Sequence, residues 1–450
     1  MATTRLYRTN GTPTNNSKWT FSCWLKRTKL SYGDAFILDG YVSGNDRFKF
    51  AFQSANKLEI WNSNGGSDDT KLDVNAREFK DTHGYYHFVL SMDATLTTAA
   101  DRFKIYINGI RETNFGSNIN PPQDSTEFVI NQNGATVSIG DYYGGSNGFD
   151  GIMSHVHFID GTAYDADTFG ETDTTSGEWK IKTSPSVTYG NNGYFILKDG
   201  NNLSGSTVSD QSGNSNDFTV SGTLSNTQDC PSNIFNTINI NHADYDVSTI
   251  AAGATSVYRS GSGPWKSVYG NIGMHNGYGK YYMEFYYDTG SEVNFGISDF
   301  KKAGNIEKTE RGNDTWAGAY ANSYGYQNNG ALISNGTTTG SWGSTYTTGD
   351  YMGMAVDMEN LKIYFHKNGV YQASGDPSNG TGGVTINAPV IAYMPTMAVS
   401  NAEIAGNFGN GAFGSTQLTG TTYQGAGNLG VFKYQVPTGY TALCTKGLNE

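Results

Sequence analysis

Four groups of side chains in this 450-residue sequence have types and spacings that could do chemistry. Carboxylates come first, because a retaining glycosidase needs an acid and a nucleophile about 5–5.5 Å apart. Glu171 and Asp173 with Glu178 lie in a turn-like stretch, and the last carboxylate comes too late. Asp165 and Asp167 fall in a loop before Phe169, and Glu284 and Asp288 at the end of a strand pattern. No catalytic residue is assigned, and the protein is expected not to be an enzyme. His155 and His157, two apart on a strand, point to one face and could share a metal, but no third ligand is identifiable. A half-exposed strand surface is the preferred reading of that pair. The turn carboxylates Asp68, Asp69, Asp141 and Asp150 are candidate Ca2+ ligands, since Ca2+ takes several oxygens, although they lack an EF-hand spacing. The fourth group is aromatic: Tyr142 and Tyr143, and Trp316 with Tyr320, Tyr324, Tyr326 and Trp342, all in or beside predicted loops. Ring faces with Asn and Asp nearby suit glycan binding, and the same rings suit an interface with a neighbouring chain.

The elements that must hold these groups are strands. Gly occurs 58 times and Tyr 30 times, aromatics make up 13% and charged residues 16%. No segment carries a helical period over three turns, so short strands joined by tight turns are expected. Residues 349–371 read as a three-stranded antiparallel meander. Met352, Met354 and Val356 alternate, Asp357 to Asn360 turn, Leu361, Ile363 and Phe365 alternate again, and Asn368-Gly369 closes a type I′ hairpin. Asn108-Gly109 ends a second alternating strand in the same way. In residues 19–25, Trp19, Phe21, Cys23 and Leu25 share one face.

The fold class is therefore all-β: two antiparallel β-sandwich (jelly-roll) domains, residues 1–179 and 236–450. Residues 180–235 join them as an extended, aromatic-containing connector, in which Phe195, Leu197 and Phe218 need burial against one domain. The net charge of −12 and pI near 5.0 argue against a nucleic-acid partner, which would need a basic face. Cys23, Cys230 and Cys444 are far apart and read as reduced thiols. The N-terminus lacks an apolar export core and no run reaches membrane-spanning length, so the chain is expected to be made in a cytoplasm, not Sec-exported and not membrane-inserted. Glycines 144, 145 and 148 sit in a hairpin context without a following helix, which argues against phosphate binding.

Residues 137–140 (VSIG), 149–151 (FDG) and 155–161 (HVHFIDG), with the early strand at 19–25 (WTFSCWL), resemble a concanavalin A-like (laminin G-like) domain over roughly the first 170 residues. The resemblance implies a lectin-like sandwich in which loop carboxylates often bind Ca2+. It also implies a missing strand before Leu6, and hence a shortened edge completed by a neighbouring chain. Some members hydrolyse glucans through a Glu-x-Asp-x-x-Glu strand motif, which does not occur here. Tyr282-x-Glu284, Gly296-Ile297, the GDxxGxxxD pattern from Gly349 to Asp357, the IxFxxNG pattern from Ile363 to Gly369, Pro395 and Asn407-Phe408-Gly409 resemble a SPRY domain in order and spacing. The two together, joined by a middle stretch containing DxSGNxNDF, resemble virion appendage proteins of tailed bacteriophages, marine phages in particular. That implies a tail fibre, appendage or capsid-surface fibre in the virion, made in the host cytoplasm. Its expected partners are other virion proteins and a host-surface glycan, and its expected state is a homo-oligomer, a trimer above other states. A depolymerase-style carbohydrate-active enzyme and a purely architectural decoration protein are the alternatives.

Overall fold

The computed structural model describes residues 4–30, 33–198, 203–242, 249–300 and 316–449. The chain forms two compact units, Met1–Asn226 and Thr227–Glu450. Both are built of antiparallel strands, and the one α-helical turn among the described residues is Ala99–Arg102. No helix among them is long and apolar enough to cross a membrane.

In the first unit the alternating run at 19–25 forms the strand Lys18–Arg27, and Trp19, Phe21, Cys23 and Leu25 enter one core at 0% exposure. They meet the strand Arg47–Phe52, where Trp19 packs edge-on against Phe48 at 5.7 Å and Phe21 against Phe50 at 6.1 Å. Each such edge-to-face pair adds about 0.5–1.5 kcal/mol beyond burial. A six-stranded sheet runs in the order Tyr194–Ile196, Gly151–Asp160, Lys18–Arg27, Tyr86–Asp93, Phe103–Ile107 and Ile110–Glu112. The facing ten-stranded sheet passes through Ser67–Val74, Leu58–Asn64, Arg47–Phe52, Ala35–Tyr41, Thr136–Ile139 and Arg5–Thr9 to Phe218–Ser221.

The expectation that a neighbouring chain completes the Leu6 strand is corrected here. Leu6 pairs with Ile139 on one side and Val220 on the other. The chain's own distant segment satisfies the edge groups that would otherwise template a partner. Residues 180–226 thus lie within the first unit. Tyr194–Ile196 pairs with Gly151–Asp160, and Phe195 and Phe218 are buried at 6% and 0% exposure.

In the second unit one strand, Lys280–Asp299, runs through both halves of the core. Its first half pairs with Tyr351–Asp357 and its second with Ser323–Gln327, while Tyr393–Asn407 follows it along nearly its whole length. Phe285 and Phe295, on either side of a register shift near Tyr287, come within 4.7 Å of each other. The bend between them passes through Gly290 at φ +109°, where a Cβ would strike the carbonyl of Asn401. The meander forms as Tyr351–Asp357, Lys362–Lys367 and Val370–Tyr371, with Met352, Met354, Val356, Ile363 and Phe365 in the core. Asn368 and Gly369 adopt φ +48° and +81°, and Asn108 and Gly109 +48° and +80°. Two successive positive φ values are what a type I′ hairpin demands.

Candidate functional site

The strand period that sends Phe48, Phe50 and Phe52 inward sends Arg47 and Lys49 to the outer face of the ten-stranded sheet. The Arg47 guanidinium lies 5.3 Å from the Tyr142 ring, 5.9 Å from Trp61, and 6.0 Å from both Tyr41 and Phe36. It is held there by Asp39, whose Oδ1 lies 3.0 Å away and whose side chain is fully buried. The other Asp39 oxygen accepts the backbone N–H of Tyr143 at 2.9 Å and so fixes the loop after Ile139. Burial pushes the Asp39 carboxyl up from its usual range, against the pull of Arg47 and of that N–H. Tyr143 stacks on Tyr41 at 3.9 Å and 7°, yet stays 45% exposed. Arg5 donates to the Tyr143 carbonyl and sits 5.9 Å from its ring. Beside this group Lys49 bridges Asp34 at 2.7 Å and Glu59 at 2.6 Å, and Lys71 reaches Glu59 at 3.3 Å. Burial opposes the Glu59 charge, but the two lysines outweigh it and hold its carboxyl below the usual value. The result is a surface of ring faces among paired charges. It can stack a flat ligand and hydrogen-bond its edges; it offers no isolated acid–base pair.

The turn aspartates are engaged in building loops. Asp141 accepts the N–H groups of Tyr142 and Asn147 at 2.7 and 2.9 Å, and Asp69 accepts from the carboxamides of Asn62 and Asn64. Asp150 lies 3.4 Å from Lys29, and Asp68 is exposed. Among the described residues no three His, Cys, Asp or Glu side chains gather as a metal-ligand group. His155 occupies a bulge at φ +50°, and its ring and that of His157 lie 5.7 and 4.0 Å from Phe195. Both are 2% exposed, which corrects the half-exposed reading. His157 Nδ1 meets the Tyr189 hydroxyl at 2.9 Å, and burial holds its pKa well below the ordinary value, so the ring is neutral. The carboxylates weighed for catalysis also find structural partners: Asp173 pairs with Lys180 at 2.7 Å, and Asp165 accepts from the Tyr106 hydroxyl at 2.7 Å.

The aromatic group expected in the second unit does not come together as one surface. Tyr324 and Tyr326 are corrected from loop candidates to core residues. They lie in the strand Ser323–Gln327 at 0% exposure, opposite Ile297 and Phe295. Their hydroxyls are engaged internally: Tyr326 donates to the Ser344 carbonyl, and Tyr324 accepts the Asn387 N–H at 2.8 Å. Trp342 is half-buried against Tyr326 and Phe365, and Trp316 lies 6.2 Å from Trp265. Tyr320 is half-buried.

Sequence reasoning missed Asp39, Tyr41, Arg47 and Trp61, whose signal was the outward phase of strands noted only for their apolar phase. It also missed a buried hub at Glu284. This carboxylate accepts the backbone N–H groups of Lys433 at 2.9 Å and Tyr434 at 2.8 Å, the Asn407 carboxamide at 3.2 Å and the Tyr282 hydroxyl at 3.0 Å. Gly369 N–H donates to His366 Nδ1 at 3.2 Å, which leaves the proton on Nε2, 2.7 Å from the Tyr282 oxygen. Burial raises the Glu284 pKa to about 7 despite these donors, and lowers that of His366 to about 3. Glu284 and Tyr282 are 0% and His366 1% exposed, so the hub is a clamp on the C-terminal chain and no substrate reaches it.

Two family models match the chain. Residues 3–167 match the concanavalin A-like lectin/glucanases superfamily (Laminin_G_3), and residues 280–411 match the SPRY domain. The chain carries a concanavalin A-like domain followed by a SPRY domain. Among solved structures, it is similar to a human SPRY domain at 18% identity, covering 34% of this chain and 90% of that one, with a TM-score of 0.26. A putative carbohydrate binding protein from Bacteroides ovatus ATCC 8483 is 16% identical over 49% of this chain and 59% of that one, with a TM-score of 0.31. A native heptameric SAP-like pentraxin from Limulus polyphemus is 16% identical over 36% of this chain and 71% of that one, with a TM-score of 0.26. No curated protein matches the sequence.

Proposed function

We propose that this protein is a non-enzymatic component of a tailed-phage virion that adheres to host-surface glycans through the outer face of its concanavalin A-like domain. One observation carries the adhesion reading: Tyr143 is 45% exposed and stacked on Tyr41, beside the Arg47–Asp39 pair. A pyranose ring would lie on the aromatic faces while its hydroxyls reach the Arg47 guanidinium, which the buried Asp39 holds in place. The virion reading rests on the order of the two domains and on the aromatic stretch between them. In it the chain is made in the host cytoplasm, joins other virion proteins and forms a trimer, whose repeated weak sites gain affinity by avidity.

A glycan array probed with the full-length chain and its Tyr143→Ala variant tests the reading. The wild-type chain is expected to retain a defined set of glycans, and the variant to lose about tenfold or more in affinity for them. Binding of nothing, or equal binding by both proteins, would overturn it. Release of new reducing ends from a retained glycan would instead establish a depolymerase.

A further inference from the structure

The Glu284 hub places two residues that lie beyond the SPRY match, Lys433 and Tyr434, against the strand face that the match contributes. Their backbones are clamped, so their side chains have fixed positions. Tyr286 lies 4.8 Å from Tyr351, and both pack on Phe413 at 6.0 and 5.2 Å. Tyr434 approaches Tyr351 at 6.2 Å, and the Lys433 ammonium stands 4.5 Å from the Tyr351 ring centre. Phe413 is a buried floor at 4% exposure, while Tyr286, Tyr351, Lys433 and Tyr434 all reach the surface in part.

Two properties of this cluster point to a ligand. No carboxylate comes within ion-pair distance of Lys433 among the described residues. Asp350, the nearby surface acid, is already paired with Lys367 at 2.9 Å, and the buried Glu284 is enclosed by its four donors. The three tyrosine hydroxyls likewise have no hydrogen-bond partner among the described residues, although their rings are held in place. On the first unit's outer face, by contrast, Arg47, Lys49 and Lys71 each meet a carboxylate. An unpaired ammonium beside ordered ring faces and free phenol O–H donors is complementary to a ligand that offers a flat C–H face and a negative group.

We infer that Tyr286, Tyr351, Lys433 and Tyr434 form a second binding site, for an acidic saccharide bearing a carboxylate or a sulfate. The anionic group meets Lys433 and the phenol hydroxyls, and the sugar ring lies against the tyrosines. The site is independent of the first unit's surface and stands whether or not that surface binds a sugar.

The test is titration of the full-length chain with a short oligogalacturonide and with a sulfated galactan oligomer, using the methyl-esterified oligogalacturonide as the uncharged control. The acidic oligomer is expected to bind in a salt-sensitive way and its ester not to bind. Lys433→Gln should weaken acidic binding about ten- to a hundredfold, since a charge-assisted contact is lost. That variant keeps the backbone N–H that Glu284 needs, so it should unfold at the wild-type temperature. Tyr434→Leu, which also keeps its N–H, should weaken binding as well. Tyr143→Ala should leave acidic binding unchanged, which separates this site from the first. Absence of binding by both acidic probes, equal binding of the ester, or wild-type affinity in Lys433→Gln would each overturn the proposal.

Discussion

The two units leave the outer faces of their sheets in opposite conditions. In the first, the face around Arg47 stays at the surface, and its charges are matched side chain to side chain, Arg47 to Asp39 and Lys49 to Asp34 and Glu59. In the second, the face around Tyr282 is roofed by the C-terminal chain, where Phe432, Val436 and Tyr440 pack with Tyr282, Ala355 and Tyr364. A polar group under such a roof cannot use water, so Glu284 must find all its partners inside and takes two of them from the roof's own backbone. The difference underlies the two proposed sites. The first unit offers the face itself, whereas the second offers only the margin of its roof.

The contrast is broken most severely at Glu284. Glu284→Ala removes the acceptor for four buried donors and is expected to destabilise the second unit by about 3–5 kcal/mol, read by urea unfolding. A loss under about 1 kcal/mol would mean that the roof does not depend on the clamp. Phe432→Ala, fully buried in the roof, should cost about 3 kcal/mol and should raise proteolysis of the C-terminal chain before that of the first unit.

A pH series sharpens the same point. The Glu284 pKa is raised from its ordinary 4.5 to about 7 by burial, so the folded state binds this proton more tightly than the unfolded state. The stabilising contribution is full below the ordinary carboxylate pKa and is lost as pH rises through about 7, by about 3 kcal/mol in all. The second unit should therefore lose stability between pH 4.5 and 7 relative to a Glu284→Gln variant, whose side chain does not titrate. A constant difference across that range would contradict the assigned burial. On the surface face the effects are smaller. Asp39→Asn should cost about 1–2 kcal/mol, because Arg47 remains ringed by aromatic faces and partly solvated. Tyr143→Ala should change stability by less than about 0.5 kcal/mol while removing the stacking surface.

Local periodicity carried much of this fold. The alternation of Trp19, Phe21, Cys23 and Leu25 and the two Asn-Gly turns follow from strand geometry and backbone sterics within a few residues, and both are present as read. The loop position of Tyr142 and Tyr143 was also legible, because it lies between two clear strands. What was illegible depends on register between distant segments. The Val220–Leu6 pairing and the contact of Glu284 with the Lys433 N–H, 149 residues away, leave no local signature. Arg47 meets four rings from three separate stretches for the same reason. Tyr324 and Tyr326 were misread because Gly325 and the neighbouring Asn and Ser residues look like a loop. In the fold Gly325 is required where a Cβ would strike the Ala317 carbonyl, in a strand whose tyrosines face the core.

The proposed adhesion places the glycan on the surface around Tyr143. A crystal structure of the full-length chain with the glycan retained most strongly on the array tests it most directly. A sugar ring stacked on Tyr143 or Tyr41 within about 4 Å, with hydroxyls on the Arg47 guanidinium, is the expected result. Sugar density at another surface, with the Tyr143 face empty, would contradict it.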